Sequence, residues 1–464
     1  MFRYGRPEIL EWAFEELKDK HPAILRTAAL GFARGGHLDF LLALIALKPL
    51  KKALPLCTEA AAGGHVHVLK SLNKYGLYPE YGDSDDMGEE YNDTMHFKVG
   101  KHGQLNALKY IVGIEDFFCI AYNGAATGGH LNIIKWLIDN GHHYPEEISG
   151  FNYGVGRGGN VQILELLLEK WETCGGSLTD GASEGGHLNF LKQLESKKML
   201  DITNNTVICA ARGGNIQVMK YLLEKGAKLD AKSLQTAIDN GQLEMAKWML
   251  ENGCSLENIS IKTAAGKGYL KIVKWALENR CKYEANAALS AVNSGQLRVV
   301  EYLHTNGFEL HEKCFIVALE IGHLNIVQYL SKTMKFPENA FDLAVKSGDL
   351  DVVKWLYENG CATSKNAPTI AARCGYLYIL KWLRTKGFQF DKSVFEAASQ
   401  GRKEEEEEED DNVHEVIEDS DEEEIDDEEI EDEEDSDDED YKEVTVWQWL
   451  SKEFPEQVEE WNKS

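Results

Sequence analysis

Residues 206–228 read TVICAARGGNIQVMKYLLEKGAK, and this stretch decides the fold. A small-sided run, Val207 to Arg212, leads into a Gly-Gly turn. A second run, Ile216 to Lys225, places Ile216, Met219, Leu222 and Leu223 at i, i+3, i+6 and i+7, the stripe of an amphipathic helix. Gly226 follows where a helix ends in a left-handed cap. The unit reads as helix, tight turn, helix, short loop. Its first helix is small enough for a neighbour to approach closely.

Outward from Gly214 the unit recurs. Anchor glycines stand at 36, 64, 103, 129, 159, 186, 214, 241, 268, 295, 322, 348 and 375, and each is followed two residues on by Leu, Val or Ile. From Gly186 to Gly375 the steps are 28, 27, 27, 27, 27, 26 and 27. A fixed period in this range means a stacked array, which grows by adding units to one core. The seventh position after the glycine is aromatic nine times: Tyr110, Trp136, Tyr221, Trp248, Trp275, Tyr302, Tyr329, Trp355 and Trp382. Such rings are expected to pack between repeats instead of stacking on nucleobases. The sixth position is Lys at 70, 109, 135, 192, 220, 247, 274, 354 and 381. Five of these, Lys135, Lys220, Lys247, Lys274 and Lys354, have an acid four residues on, so i,i+4 pairs are expected to neutralise the ladder.

The pattern A-A-x-x-G-[HNQY]-[LIV]-x-[IV]-[VILM]-K-[WY]-L-x-x-x-G, clear at 125–141, 210–226 and 371–387, resembles the ankyrin repeat over roughly residues 5–401. Two departures stand out. The family's T-P-L-H start of the first helix is absent, and the period is near 27 instead of 33. The resemblance implies an all-α, ankyrin-type helical repeat solenoid with reduced hairpin fingers. It implies an elongated curved body that binds a protein on its concave, first-helix surface. Similar short-period arrays occur in large DNA viruses of amoebae and in their hosts. The resemblance also explains His37, His65, His130, His187 and His323, which follow anchor glycines. They are expected to cap turns, since Asn160, Gln242 or Tyr376 fill the same slot elsewhere.

Charge is segregated. Of 78 Asp and Glu, 28 lie in residues 404–440, which hold no Lys or Arg. The remainder is 50 acids against 49 bases, so the array is almost neutral while the whole chain is −29. A nucleic-acid binder would concentrate base instead. The acidic run cannot bury apolar surface, so it is expected to be disordered, as a solubilising segment or a polyanion mimic for basic proteins. Ser420 and Ser436 sit in S-D-E-E and S-D-D-E contexts that suit an acidophilic kinase.

The expected domains are a repeat array at 1–401, a disordered acidic segment at 402–441 and a C-terminal helix at 442–464 capping the last repeat. Within the array, 1–30 forms a half-repeat cap and 78–93 a looped-out insertion. SVFEAASQG at 393–401 supplies a first helix and its glycine, but the second helix is missing until Val444 to Phe454. There Val444, Val446, Trp447, Trp449 and Leu450 fit its template. The acidic run is therefore expected as a loop inserted within the final repeat.

The start, MFRYGRPEIL, lacks the apolar core of a secretory signal, and the longest apolar run, Phe40 to Leu47, is too short to span a bilayer. Nine scattered cysteines without a C-x-x-C pair fit free thiols in a reducing compartment. No nucleophile elbow, phosphate loop or H-E-x-x-H zinc signature occurs in the sequence. The expectation is a non-enzymatic, intracellular, monomeric scaffold with an unknown and possibly basic protein partner. No cofactor, metal, membrane or nucleic acid is expected. The alternatives are a chaperone or decoy for basic proteins, working through the acidic run, and a substrate adaptor for a ubiquitin ligase.

Overall fold

A computed structural model describes residues 22–47, 54–75, 94–111, 118–142, 149–170, 177–400, 445–455 and 457–458. Residues 1–21 of the expected half-repeat cap at 1–30, the insertion at 78–93, the acidic run at 404–440, Ser420, Ser436 and Val444 lie outside them, while residues 22–30 belong to the helix Pro22–Gly35. Every regular element among the described residues is a helix. None is long and apolar enough to cross a membrane.

Thirteen helix pairs turn on the thirteen anchor glycines. Eight belong to a unit spanning Met1–Ile259 and five to a unit spanning Ser260–Ser464. The pair Asn204–Gly213 and Ile216–Glu224 shows why the sequence folds this way. Thr203 and Thr206 form a capping box at the start of the first helix, and Asn215 caps the second by accepting from the Val218 N–H. Both bonds satisfy donors that a helix start leaves open. Gly214 turns the chain between them at φ 74°. Gly226 ends the second helix at φ 98°, with Ala227 N–H donating to the Leu222 carbonyl at 3.1 Å.

Second helices bury the fourth, fifth and eighth residues after their anchors, such as Val218, Met219 and Leu222, all at 0% exposure, with half-buried Phe40 the exception. First helices bury alanines and meet backbone to backbone. A Cβ on Gly124 would lie 2.2 Å from the Phe97 carbonyl oxygen, and one on Gly181 2.1 Å from that of Tyr153. No side chain fits there, so these helices sit as close as their backbones allow.

In Ser260–Ser464 the last elements are the helix at residues 392–400 and the helix Val446–Glu453. Trp449 and Leu450 of the latter are buried. The Trp449 ring meets Phe390 with centroids 6.3 Å apart, and Phe454 meets Phe395 at 6.1 Å. Arg384 is ion-paired with Glu453. The Lys381 ammonium and Arg384 guanidinium lie 5.9 and 5.8 Å from the Trp449 ring centre.

Candidate interaction surface

Three kinds of cross-repeat contact position the surface residues. The first is the residue after each anchor glycine. His65, His130 and His187 direct Nε2–H at the carbonyls of Arg34, Lys101 and Arg157 at 3.1, 3.1 and 2.9 Å, each on the preceding first helix. Asn160, Gln242 and His323 serve the carbonyls of Gly129, Arg212 and Asn293 at 2.9, 2.9 and 3.2 Å. These bonds take up carbonyls that a helix end leaves open. The same side chains fill the space over the preceding glycine. A Cβ on Gly36 would lie 2.5 Å from His65 Nδ1, and one on Gly214 2.2 Å from Gln242 Oε1. The slot histidines are thus turn-to-turn clamps. Among the described residues no group of three His, Cys, Asp or Glu is placed to hold a metal.

The second contact links second helices. Lysines at the sixth position lean over the aromatic ring of the next repeat: Lys70 over Tyr110 at 5.9 Å, Lys109 over Trp136 at 5.7 Å and Lys274 over Tyr302 at 4.9 Å. The ninth position meets that ring too, as Glu195 with the Tyr221 hydroxyl at 2.8 Å, His304 with Tyr329 and Tyr357 with Trp382. The rings therefore pack between repeats. The expected i,i+4 pairs are corrected, because Lys135, Lys220, Lys247, Lys274 and Lys354 do not come within 4 Å of their acids. Lys247 instead pairs at i,i+3 with Glu244 at 2.9 Å. For Lys274 the Tyr302 ring face on the next repeat competes well against an exposed pair worth a few tenths of a kcal/mol.

The third contact lies on the first-helix surface and differs between the units. In Met1–Ile259 charged side chains bridge neighbouring helices. Glu59 takes Arg34 at 3.7 Å and Lys98 at 3.3 Å, and Glu184 takes Arg157 at 3.3 Å and Arg212 at 2.7 Å. The Tyr153 hydroxyl also donates to Glu184. Asp180 accepts from Thr206 Oγ1 at 2.6 Å and Asn205 Nδ2 at 2.5 Å. Burial, then Arg157 and Lys98, lower the Lys101 ammonium from its ordinary range. Burial, then Arg34 and Lys101, do the same to His102. In Ser260–Ser464 the second residue before the anchor, the place of Arg34, Lys101, Arg157, Glu184 and Arg212, is Gly266, Asn293, Glu320, Lys346 and Arg373, while the fifth and sixth include the half-buried aliphatics Leu289, Ile316, Val317, Leu343 and Ile370. Ile321 is 43% exposed.

Tyr153, Glu184 and Cys209 form the nearest approach to a reactive cluster. Burial and the acids Asp180 and Glu184 push the Cys209 thiol up to about 11, and burial raises Tyr153. Both stay neutral near pH 7, so the thiol lacks the anionic form a nucleophile needs. The eight described cysteines are free thiols.

A family model described as ankyrin repeats (3 copies) matches residues 159–260 and 289–367. The sequence matches no curated relative. Among solved structures, the human ASB11 ankyrin repeat domain is 20% identical, over 40% of this chain and 85% of that one, with a TM-score of 0.24. The pentatricopeptide repeat protein PPR10 in complex with an 18-nt psaJ RNA element is 13% identical, over 88% and 72%, with a TM-score of 0.25. PPR10 from maize is 13% identical, over 89% and 76%, with a TM-score of 0.22. Scores this low carry no argument. The matched spans coincide with the repeating glycine turn and its clamp, and residues 159–260 and 289–367 are ankyrin repeats.

Proposed function

We propose that the chain is a non-enzymatic scaffold that docks a protein segment on its first-helix surface. Ankyrin repeats are in general protein–protein interaction modules, and the family is typically non-enzymatic. The observation that carries the reading is the half-exposed aliphatic stripe Leu289, Ile316, Val317, Leu343 and Ile370. Phe315, Phe341 and the alanines of these first helices are buried in the core, while the stripe beside them keeps exposed apolar area suited to a partner's apolar side chains. The test is capture of a partner by the full chain and by an Ile316→Glu/Leu343→Glu variant, beside a Lys220→Glu control on a second helix. Loss with the first variant alone supports the reading. Equal loss with the control, or none with either, sinks it.

The free thiols favour an intracellular setting. The helix Val446–Glu453 is assigned as the second helix of the last repeat, after the first helix at 392–400. Trp449 meets Lys381 and Arg384 as other seventh-position rings meet the sixth and ninth residues before them, and Glu453 pairs with Arg384 as Lys225 pairs with Glu195. This assignment leaves the acidic run between two halves of one repeat. Truncation after Gly401 should lower the melting temperature of the 340–400 repeats, and an unchanged value overturns the assignment.

A further inference from the structure

Several second helices end on the same pair of residues. Asn140–Gly141, Asn252–Gly253, Asn306–Gly307 and Asn359–Gly360 follow Leu131–Asp139, Leu243–Glu251, Leu297–Thr305 and Leu350–Glu358. Each of these glycines takes a positive φ, from 73° to 98°. Asn is a labile residue, and before Gly it is most open to attack by the backbone, because glycine puts no side chain in the way. The turn does not impose the pair, since Lys225–Gly226 and Lys386–Gly387 fill the same two positions with the same backbone. The four asparagines are exposed, so water reaches them. The folded turn nevertheless holds the reacting groups apart. Each Asn Nδ2–H donates to the carbonyl four residues back, on Trp136, Trp248, Tyr302 and Trp355, at 2.7–2.8 Å. Each glycine N–H donates to the carbonyl three residues back, at 3.0–3.4 Å. The asparagines sit at ψ between 11° and 21°. Ring closure has to bring the glycine nitrogen into line with Cβ about the Cα–C bond, a rotation of about a third of a turn that breaks both bonds. The next N–H groups, of His142, Cys254, Phe308 and Cys361, donate to the carbonyls of Leu137, Met249, Leu303 and Leu356, whose side chains are fully buried. The turn is therefore released only when its repeat opens.

We propose that Asn140, Asn252, Asn306 and Asn359 are sites of spontaneous deamidation, each gated by the opening of its own repeat, and that conversion loosens that repeat permanently. In the first step the glycine nitrogen attacks Asn Cγ. The N–Cγ bond forms, the Cγ–Nδ2 bond breaks, and Nδ2 leaves as ammonia with the proton of the glycine N–H. Water then adds to either carbonyl of the succinimide ring and breaks one of its two C–N bonds, giving isoaspartate or aspartate. The sequence is redox-neutral and needs no reagent but water. Both products lose the Nδ2–H that serves a helix-end carbonyl, and both add negative charge at a helix C-terminus, where the dipole opposes it. Isoaspartate also lengthens the backbone by one carbon and so displaces the glycine from its cap. An opening is thus recorded as a lasting weakness of the repeat that opened.

The test ages the full chain in mildly alkaline buffer and follows each Asn by peptide mass, with synthetic peptides of the same local sequence as reference. Each of the four should convert at least tenfold more slowly in the chain than in its peptide. Asn279, whose Nδ2–H donates to the Trp275 carbonyl at 2.8 Å in the same way, precedes Arg280 and should stay slow in both. Leu222→Ala, which weakens the repeats flanking Gly214, should speed Asn252 at least threefold and leave Asn359 unchanged. Urea below the unfolding transition should also speed Asn252 in the unaltered chain, so the result does not depend on the variant folding. After ageing, hydrogen exchange should rise in residues 243–251, and Asn252→Lys, which copies Lys225, should abolish that rise. Conversion as fast in the chain as in the peptides, indifference of Asn252 to urea, equal acceleration of Asn252 and Asn359 by Leu222→Ala, or unchanged exchange once Asn252 has converted each overturn the proposal.

Discussion

The two units share one skeleton and differ where nothing in the skeleton constrains them. In both, anchor glycines carry φ near +75° and second helices bury the same three positions, Phe40 excepted. On the first-helix surface, Met1–Ile259 bridges its helices with shared carboxylates and packs several of them through glycine, while Ser260–Ser464 sets half-buried aliphatic side chains five and six residues before the anchor. The lesson is that burial fixes the repeat and exposure is left to recognition. Two chemically different faces have been built on it.

The comparison can be broken first in the shared core. Leu222→Ala should cost about 2–5 kcal/mol, and hydrogen exchange should show the loss mainly in the repeats flanking Gly214, because each repeat touches only its neighbours. Uniform deprotection of the whole array would contradict that. The next effect belongs to Met1–Ile259. Burial holds the His96 imidazole low, at about 4, with the residue 1% exposed. A depressed histidine takes up protons on unfolding, so its contribution is intact above about pH 6.5 and disappears as pH falls towards 4. About 3 kcal/mol is lost by then. Among the described residues Ser260–Ser464 has no buried histidine. Acid should therefore loosen residues 95–111 first, and His96→Leu should flatten the response.

Glycine packing sharpens the contrast further. In an ordinary helix Gly→Ala helps, but Gly181→Ala should destabilise by about 1–3 kcal/mol because its methyl meets a rigid carbonyl. Gly266→Ala meets the hydroxyl of Ser290, a small side chain that is able to turn away, and should cost less. Paired melting curves decide this, and equal costs would erase the difference between the faces. Smallest of all, Ile321→Asp should shift stability by no more than about 0.5 kcal/mol, since the side chain supports nothing in the fold. A larger shift would mean that the aliphatic face is structural.

Much of this was legible in residues 206–228. The beat of glycines and the left-handed cap at Gly226 follow from local chemistry, and the capping role of the slot histidines came from the resemblance to ankyrin repeats. The lysine ladder did not. Whether Lys274 turns to Glu278 or to the Tyr302 ring depends on the distance to the next repeat, which spacing along one helix does not encode. The first-helix surface was hidden for a related reason. Glu59 reaches Arg34 and Lys98 across intervals of 25 and 39 residues, the second lengthened by the widened step between Gly64 and Gly103. The sequence showed that first helices are small-sided, but which glycines touch backbone emerges only once the helices are stacked.

The clamp between turns has an evolutionary consequence. At eight slots, His65, His130, Asn160, His187, Asn215, Gln242, His323 and Tyr376, the side chain binds a backbone carbonyl of the preceding repeat and rests on its anchor glycine, two features that neighbouring repeats share. His65 is therefore as well suited to a duplicate of its neighbour as to the neighbour itself. Within a unit, excision or duplication of one whole period between anchor glycines should leave every clamp remade with whichever repeat comes next. A gene of this kind is able to lengthen or shorten by recombination among its own repeats without losing the fold, which lets its exposed faces be reshuffled faster than point substitution alone would permit.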